Sequence, residues 1–315
     1  MVNDQTARRV LAVADRLGYR PHPLARGLRT NRTLTVGMVV PDLMNPLFSP
    51  IYAGVETSLR EEGYSLVLAG ADDDEVRSQS VITALLERRV AGLILATAHL
   101  ETGLPGGLQP GMLPIVLVNR SDESLDVPSV VGDDHMGIGL AVKHLVELGH
   151  TSIVHVGGPT DVSTGLTRRL AFVAAMHGAG MEVDPGSIVE SEAFRTEAGR
   201  EACGRLLDSG KRFTAIVAAN DLIALGCYDA LAERGIDVPG SVSVTGYNDV
   251  AFVDRVTPPL TTVAVPFRQM GSVAGDILLS EMALGSSRFA DGTASTLLRP
   301  WLVVRDSTAA VPVGS

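Results

Sequence analysis

The feature that most constrains this chain is the alternation of short, wholly apolar runs with longer amphipathic stretches, which begins at Leu34 and continues for more than two hundred residues. Runs apolar on both faces read as strands at Thr35–Val40, Ser65–Ala69, Gly92–Ala96, Ile115–Val118, Ser152–Val156, Ala215–Ala218 and Val242–Gly246. Helical spacing lies between them at Leu47–Glu62, Glu75–Arg88, Gly137–Leu148, Arg168–Gly180, Thr196–Asp208 and Leu222–Arg234. Strand–helix alternation with long connections makes parallel sheets joined by right-handed crossovers. There are too many units for one ordinary sheet. The expected fold is therefore α/β, with two doubly wound parallel-sheet lobes.

Ahead of this pattern the chain differs in charge. Residues 1–32 carry seven arginines against two acids, so +5 there leaves −15 for the remainder of a chain whose net charge is −10. A basic head on an acidic body suits a head that meets phosphates and a body that does not. Helical spacing from Asp4 to Leu17 gives way to Tyr19-Arg20-Pro21-His22-Pro23, where two prolines stop the helix and stiffen the connection. A short second helix is expected from Pro23 through Arg29.

No apolar run approaches the roughly 20 residues needed to span a bilayer. No apolar segment precedes a small-residue cleavage site, so a cytoplasmic protein without a signal peptide is expected. Cys203 and Cys227 lack paired spacing and read as reduced thiols.

Open parallel sheets bind ligands at the carboxyl ends of their strands. The residues directly after the strands are Pro41-Asp42, Gly70-Ala71-Asp72, Thr97, Asn119-Arg120, Gly157-Gly158, Asn220-Asp221 and Tyr247-Asn248-Asp249. Amide, carboxylate and guanidinium groups predominate, a set suited to hydrogen bonding rather than nucleophilic attack. Asp42 and Asp221 are read as helix caps. The run Asp72-Asp73-Asp74-Glu75 is read as the start of the next helix, where negative charge is favourable. Dinucleotide, P-loop and nucleophile-elbow motifs are not found, and the seven histidines lack metal-ligand spacing. No catalytic residue, cofactor or metal is expected.

An ordered set of segments resembles the lactose-repressor (LacI) family of bacterial transcription regulators, whose core is similar to periplasmic sugar-binding proteins. The segments are VLAVADRLGYRPHPLARGLRT from Val10, TVGMVVPDLMNPLFSPIYAGVE from Thr35, VAGLILA, VLVNR, VVGDDHMGIGLAVKHLVELGH, VHVGGP, AIVAANDLIALG, SVTGYNDVAFVDRVTPPLTTV and LLRPWLVVRDST. The resemblance covers the chain from Val2. It implies a remnant of the DNA-binding head and hinge helix over 1–33, a first lobe of 34–133 plus 266–293, a second of 134–265 plus 294–306, and a tail of 307–315. Three lobe crossings are expected, near Asp133, Val265 and Thr293. The chain starts where the third helix of the family's helix-turn-helix head would start, so the recognition helix is expected to be missing.

The resemblance also implies roles. Leu28 matches a leucine that wedges into the minor groove, with Arg26 and Arg29 as its DNA-contacting neighbours. Asn45, Leu47 and Phe48 fall in the first ligand loop, with Phe48 as the stacking ring. Arg120 follows the fourth strand, here in an Asn119-Arg120 pair where sugar binders usually have Asp-Arg. Arg168 reaches the ligand from the second lobe, with Arg169 as its rival by register. Asn220 matches the asparagine of an Asn-Asp pair, and Asn248 occupies the place of an aspartate common in sugar binders. Val265 stands where sugar binders often have glutamine. Arg168→Ala is expected to weaken ligand binding and leave folding nearly intact. The implied partners are operator DNA, a sugar-like effector and a second copy of the chain, with Leu225 and Val256 near the dimer contact. A head-less or periplasmic-type solute-binding protein is the other reading.

Overall fold

The computed structural model describes residues 33–284 and 295–311, together with Thr6, Arg9, Val13 and Arg16, which are helical. The hinge positions Arg26, Leu28 and Arg29 lie outside the described residues.

The first sheet has six strands in the order β11-β5-β4-β3-β1-β2. These are β1 Thr35–Val40, β2 Ser65–Gly70, β3 Leu93–Leu95, β4 Ile115–Val118, β5 Ser129–Gly132 and β11 Ser295–Leu298. All its pairings are parallel. The second sheet has the order β12-β10-β9-β8-β6-β7. Its strands are β6 Ile153–Gly157, β7 Ile188–Glu190, β8 Ala215–Ala218, β9 Ser243–Asn248, β10 Thr261–Ala264 and β12 Trp301–Val303. Only β12 runs antiparallel, against β10. The two-sheet architecture follows the alternation in the sequence.

Seven α-helices cover the sheets among the described residues: α1 Phe48–Glu61, α2 Glu75–Glu87, α3 Asp134–Glu147, α4 Ser163–Gly178, α5 Thr196–Asp208, α6 Asp221–Ala232 and α7 Phe267–Leu284. In β1, Val36, Met38 and Val40 join a core with α1 and α7, while Val39 faces the opposite way into a second core with Ile82 and Leu85 of α2. That two-sided burial is why the strand is apolar throughout. α1 and α7 approach until their backbones almost touch: a Cβ on Gly54 would lie 2.1 Å from the Arg268 carbonyl oxygen, and one on Gly271 2.0 Å from that of Ile51. In the second lobe α5 carries Cys203 and α6 carries Cys227, both buried and free.

The third crossing departs from the sequence reading. Ser295–Leu298 pairs with β5 in the first sheet, and Trp301–Val303 pairs with β10 in the second. The chain therefore crosses at Arg299-Pro300, not near Thr293. Proline supplies no N–H to a ladder, so Pro300 splits one apolar stretch into two strands.

Asp74 caps α2, its side chain accepting from Arg77 N, in keeping with the acidic run as a helix start. Asp221 does not cap α6. Asn220 holds that place, and Asp221 turns inward. His150 and His144 fasten the C-terminal segment: His150 lies within hydrogen-bond reach of Thr214, Ser243 and the Ala309 carbonyl, and His144 of Thr308. No helix among the described residues is long and apolar enough to cross a membrane.

Candidate functional site

The carboxyl ends of β1 and β4 in the first lobe face those of β8 and β9 in the second. The cleft between them is lined by Pro41, Asp42, Asn45, Leu47, Phe48, Asp73, Asn119, Arg120, Thr164, Arg168, Ala193, Phe194, Arg195, Asn220 and Asn248. All seven positions singled out for a ligand, Asn45, Leu47, Phe48, Arg120, Arg168, Asn220 and Asn248, meet there, and all are buried. Arg169 points elsewhere and pairs with Glu190 on the surface. Val265 is buried outside the cleft lining, against Gly132.

Local structure aims these groups. Asn119 follows β4 with a φ of 64°, and Arg120 N donates to the Val118 carbonyl at 2.7 Å. That three-residue turn is a costly backbone shape, and it folds Arg120 back over the sheet end. Arg120 Nη1 then donates to Asp73 Oδ1 at 3.2 Å. Arg168 lies on α4, buried. Its Nε donates to Asp134 Oδ1 at 3.0 Å, its Nη1 donates to the Ala219 carbonyl at 2.8 Å, and its guanidinium sits 4.0 Å above the Tyr247 ring. Burial, with Asp134 alongside, holds the Tyr247 phenol well above its ordinary range, so the ring stays neutral beneath the cation. A guanidinium has five N–H donors, so three of Arg168 are left by these two bonds.

Asn45 Oδ1 accepts from Leu47 N and Asn220 Oδ1 from Ile223 N, which leaves both amide NH2 groups as donors. Asn248, at a φ of 115°, keeps a buried Oδ1 that has no hydrogen-bond partner. Buried acceptors are nearly always satisfied in native proteins. The cleft therefore offers several donors and at least one unmet acceptor.

Sequence reasoning missed Thr164 and the segment Ala193-Phe194-Arg195. The latter follows β7, whose three residues Ile188–Glu190 are too short to stand out as a strand. Two glycines make room for this wall. A Cβ on Gly158 would lie 2.3 Å from the Phe194 ring, and one on Gly165 1.7 Å from the Pro159 carbonyl oxygen.

The lobes are closed on one another. Arg195 Nε lies 3.4 Å from Asp42 Oδ2, Ser121 N donates to Ser163 Oγ at 2.9 Å, and Leu100 N donates to the Asp161 carbonyl at 2.8 Å. The cleft retains only about 30 Å³ of free volume, against the roughly 300–1,000 Å³ of ordinary ligand pockets. A ligand must part the lobes to enter.

Behind the cleft, burial pushes the Asp221 carboxyl up to about 7, although Val250 N at 2.8 Å and Thr262 Oγ1 at 2.5 Å donate to it. In the unfolded chain its value is near 3.9. The folded state therefore holds an extra proton between about pH 4 and 7, and the stability this brings is lost as pH rises through 7. Burial holds His155 down at about 4 instead, so its contribution is lost as pH falls from 6.5 toward 4. Asp221→Asn removes the first dependence and keeps the second. The variant-minus-parent difference in Tm is expected to rise from pH 5 to about pH 7 and to level off above it. A pH-independent difference would show that Asp221 titrates normally.

Among the described residues no cluster of three or more His, Cys, Asp or Glu side chains could hold a metal ion. Leu225, on α6, and Val256, between β9 and β10, are half-buried and lie outside the cleft lining.

Comparison with known proteins agrees with this architecture. The model of the periplasmic binding protein-like domain matches residues 142–308. The ribose operon repressor of Escherichia coli K12 is 34% identical over 281 residues, 88% of this chain and 84% of that protein. The HTH-type transcriptional regulator DegA of Bacillus subtilis strain 168 is 31% identical over 313 residues, 98% of this chain and 90% of that protein. Among solved structures, the lac repressor dimer bound to operator and an anti-inducer aligns with a TM-score of 0.81 at 26% identity, over 98% of this chain and 92% of that one. A LacI family regulator from Enterococcus faecium with bound ribose aligns with a TM-score of 0.72 at 26% identity, over 88% of this chain and all of that one.

Proposed function

This chain belongs to the lactose-repressor (LacI) family of transcription regulators, and from that premise we propose that its interlobe cleft binds a sugar or sugar derivative whose presence is passed to operator DNA. The observation that carries the reading is the convergence of Asn45, Phe48 and Arg120 from one lobe with Arg168, Asn220 and Asn248 from the other on one cleft, with the Asn248 Oδ1 acceptor unmet. Vicinal hydroxyls donate and accept together, so they suit planar paired groups such as guanidinium and amide. Phe48 and Phe194 supply apolar faces for a ring. The similarity to a ribose operon repressor and to a LacI family regulator with bound ribose supports the same class.

Only lobes closed around it bring all these groups to one ligand, and they must stand farther apart than in the closed arrangement described above. A ligand that binds this state better shifts the regulator toward it, and that shift is the signal. Arg26, Leu28 and Arg29 are the proposed contacts to the minor groove and phosphates. Leu225 and Val256 are proposed to lie near the contact of a homodimer. The relatives regulate transcription, and the cleft's polar groups bind without performing chemistry. A regulator that meets bacterial DNA works in the cytoplasm.

The test is a thermal-shift screen of sugars, sugar acids and nucleosides, followed by titration of variants. A sugar is expected to raise Tm, by about 2.7 kcal/mol of stabilisation at a hundred times Kd. Phe48→Ala should weaken its binding through lost stacking, and Asn248→Asp should strengthen sugar binding by restoring a full acceptor. The reading fails if no sugar stabilises the protein, or if the stabilising sugar binds Phe48→Ala and Asn248→Asp as it binds the parent.

A further inference from the structure

Arg168 is fastened at two points, and two points define only an axis. Its Nε donates to Asp134 Oδ1 at 3.0 Å and its Nη1 to the Ala219 carbonyl at 2.8 Å. These bonds leave one N–H on Nη1 and both on Nη2 for the cleft that Arg168 lines. They also leave the guanidinium plane free to tilt about the line between its partners, carrying those donors away. Arginine side chains have much rotamer freedom to lose. Hydrogen bonds of this number do not by themselves remove it.

The third support is a ring. Tyr247 of β9 has its ring centroid 4.0 Å from Arg168 Cζ, and a cation over an aromatic face is attracted to it. The ring closes one face of the guanidinium, so the plane cannot tilt that way. Tyr247 is itself fixed. It has no exposed surface, and the backbone of α3 presses on its outer end. A Cβ on Gly137 would lie 2.4 Å from Tyr247 Oη and 2.6 Å from its Cε2. Although Asp134 lies alongside, the phenol oxygen makes no hydrogen bond. Packing therefore seats the side chain, and what it offers Arg168 is a face rather than a hydroxyl. Tyr247 is absent from the cleft lining, which the next residue, Asn248, enters. It touches no ligand and acts through Arg168.

We propose that Tyr247 is a positioning residue of the effector site, and that its ring, seated against Gly137, holds the free N–H groups of Arg168 toward the cleft. Donors already held in one orientation lose less freedom when they bind, and affinity rises accordingly. That these donors meet a sugar rests on the function proposed above; the holding of the guanidinium does not.

Nuclear magnetic resonance of the full chain labelled with 15N-arginine reads Arg168 directly. Its two Nη signals are separate when rotation about the Nε–Cζ bond is slow and merge when it is fast. Arg168→Lys identifies them by their loss. Tyr247→Met refills most of the space with a flexible side chain that has no π-face, and Tyr247→Phe keeps the ring without the hydroxyl. Gly137→Ala leaves Tyr247 in the sequence and displaces its ring, which keeps the proposal testable if Tyr247→Met fails to fold. Rotation of Arg168 is expected to be about tenfold faster in Tyr247→Met and Gly137→Ala, and to return to the parent rate in Tyr247→Phe. The affinity probe is the sugar that raises Tm most in the thermal-shift screen. It should bind Tyr247→Met about fivefold more weakly than the parent, with affinity restored in Tyr247→Phe.

Three results would overturn the proposal. Rotation within about twofold of the parent in both Tyr247→Met and Gly137→Ala would show that the two hydrogen bonds suffice. Rotation as fast in Tyr247→Phe as in Tyr247→Met would give the role to the hydroxyl. Unchanged sugar affinity in a variant whose Arg168 rotates freely would make the hold structural alone. If no sugar binds the parent, the sugar reading falls, and the rotation rates still decide whether Tyr247 holds Arg168.

Discussion

Arg168→Ala is expected to cost about 3–5 kcal/mol of folding free energy and at least tenfold in effector affinity. The first part follows from what the residue holds. Arg168 and Asp134 are both buried, and Asp134 relies on the Nε donor at 3.0 Å. Removing one member of a buried pair strands the other's charge, which costs about 3–5 kcal/mol. At roughly 2–4 °C per kcal/mol for a body of this size, Tm should fall by about 6–20 °C. The expectation from sequence that folding would stay nearly intact is thereby corrected, because the partners of an arginine are invisible in its own neighbours along the chain. The second part follows from the three guanidinium donors left over. A hydrogen bond to a charged group is worth about 1.5–3 kcal/mol, or roughly tenfold to a hundredfold in Kd.

The two effects separate in a second variant. Arg168→Met combined with Asp134→Asn removes the stranded charge and fills the space. It should recover more than half of the lost Tm and none of the lost affinity. Full recovery of affinity in that protein would show that Arg168 is structural alone.

The next largest effect is expected from one methyl group. Gly271→Ala should destabilise the protein, although alanine is the better helix former by about 1 kcal/mol. The added Cβ would lie 2.0 Å from the Ile51 carbonyl oxygen, and backbone cannot give way as a flexible side chain can. Overpacking of this kind costs about 1–3 kcal/mol, occasionally more, and here the helices α1 and α7 must separate along their length. Gly139→Ala is the control. Gly139 also lies inside a helix, α3, and nothing stands within 4 Å of the place its Cβ would take. It should gain up to about 1 kcal/mol. Thermal melts of the two proteins should thus shift in opposite directions. A rise in Tm for Gly271→Ala would mean that α1 and α7 do not pack as closely as described.

These glycines mark where the sequence stops being legible. The alternation of apolar runs points to two sheets because a strand buried on both faces has no other composition to adopt. The residues after β1, β4, β8 and β9 converge on the cleft because parallel strands end on one edge. Short strands leave no such trace: Ile188–Glu190 and Ser295–Leu298 are set by their neighbours in the sheet more than by their own residues. α7 escaped notice because Gly271 and Gly275, which let it approach α1, also weaken its helical signature. Phe194 and Arg195 reach the cleft only through the placement of β7. The cap of α6 fell to Asn220 rather than Asp221 for a similar reason, since whether a residue caps a helix or turns into the core depends on what lies beneath it.

The late position of α7, β11 and β12 has a bearing on how the protein is made. The first lobe contributes β1 to β5 early, yet its last helix and its edge strand β11 follow about 200 residues behind α1. At translation speeds of roughly 5–20 residues per second, an emerging first lobe waits tens of seconds with the face of α1 uncovered and one side of β5 unpaired. β12 closes the second sheet at nearly the same moment. Neither half can therefore be finished on the ribosome before the other, and a chain broken off before residue 295 leaves two open sheet edges at once, each a template for aggregation.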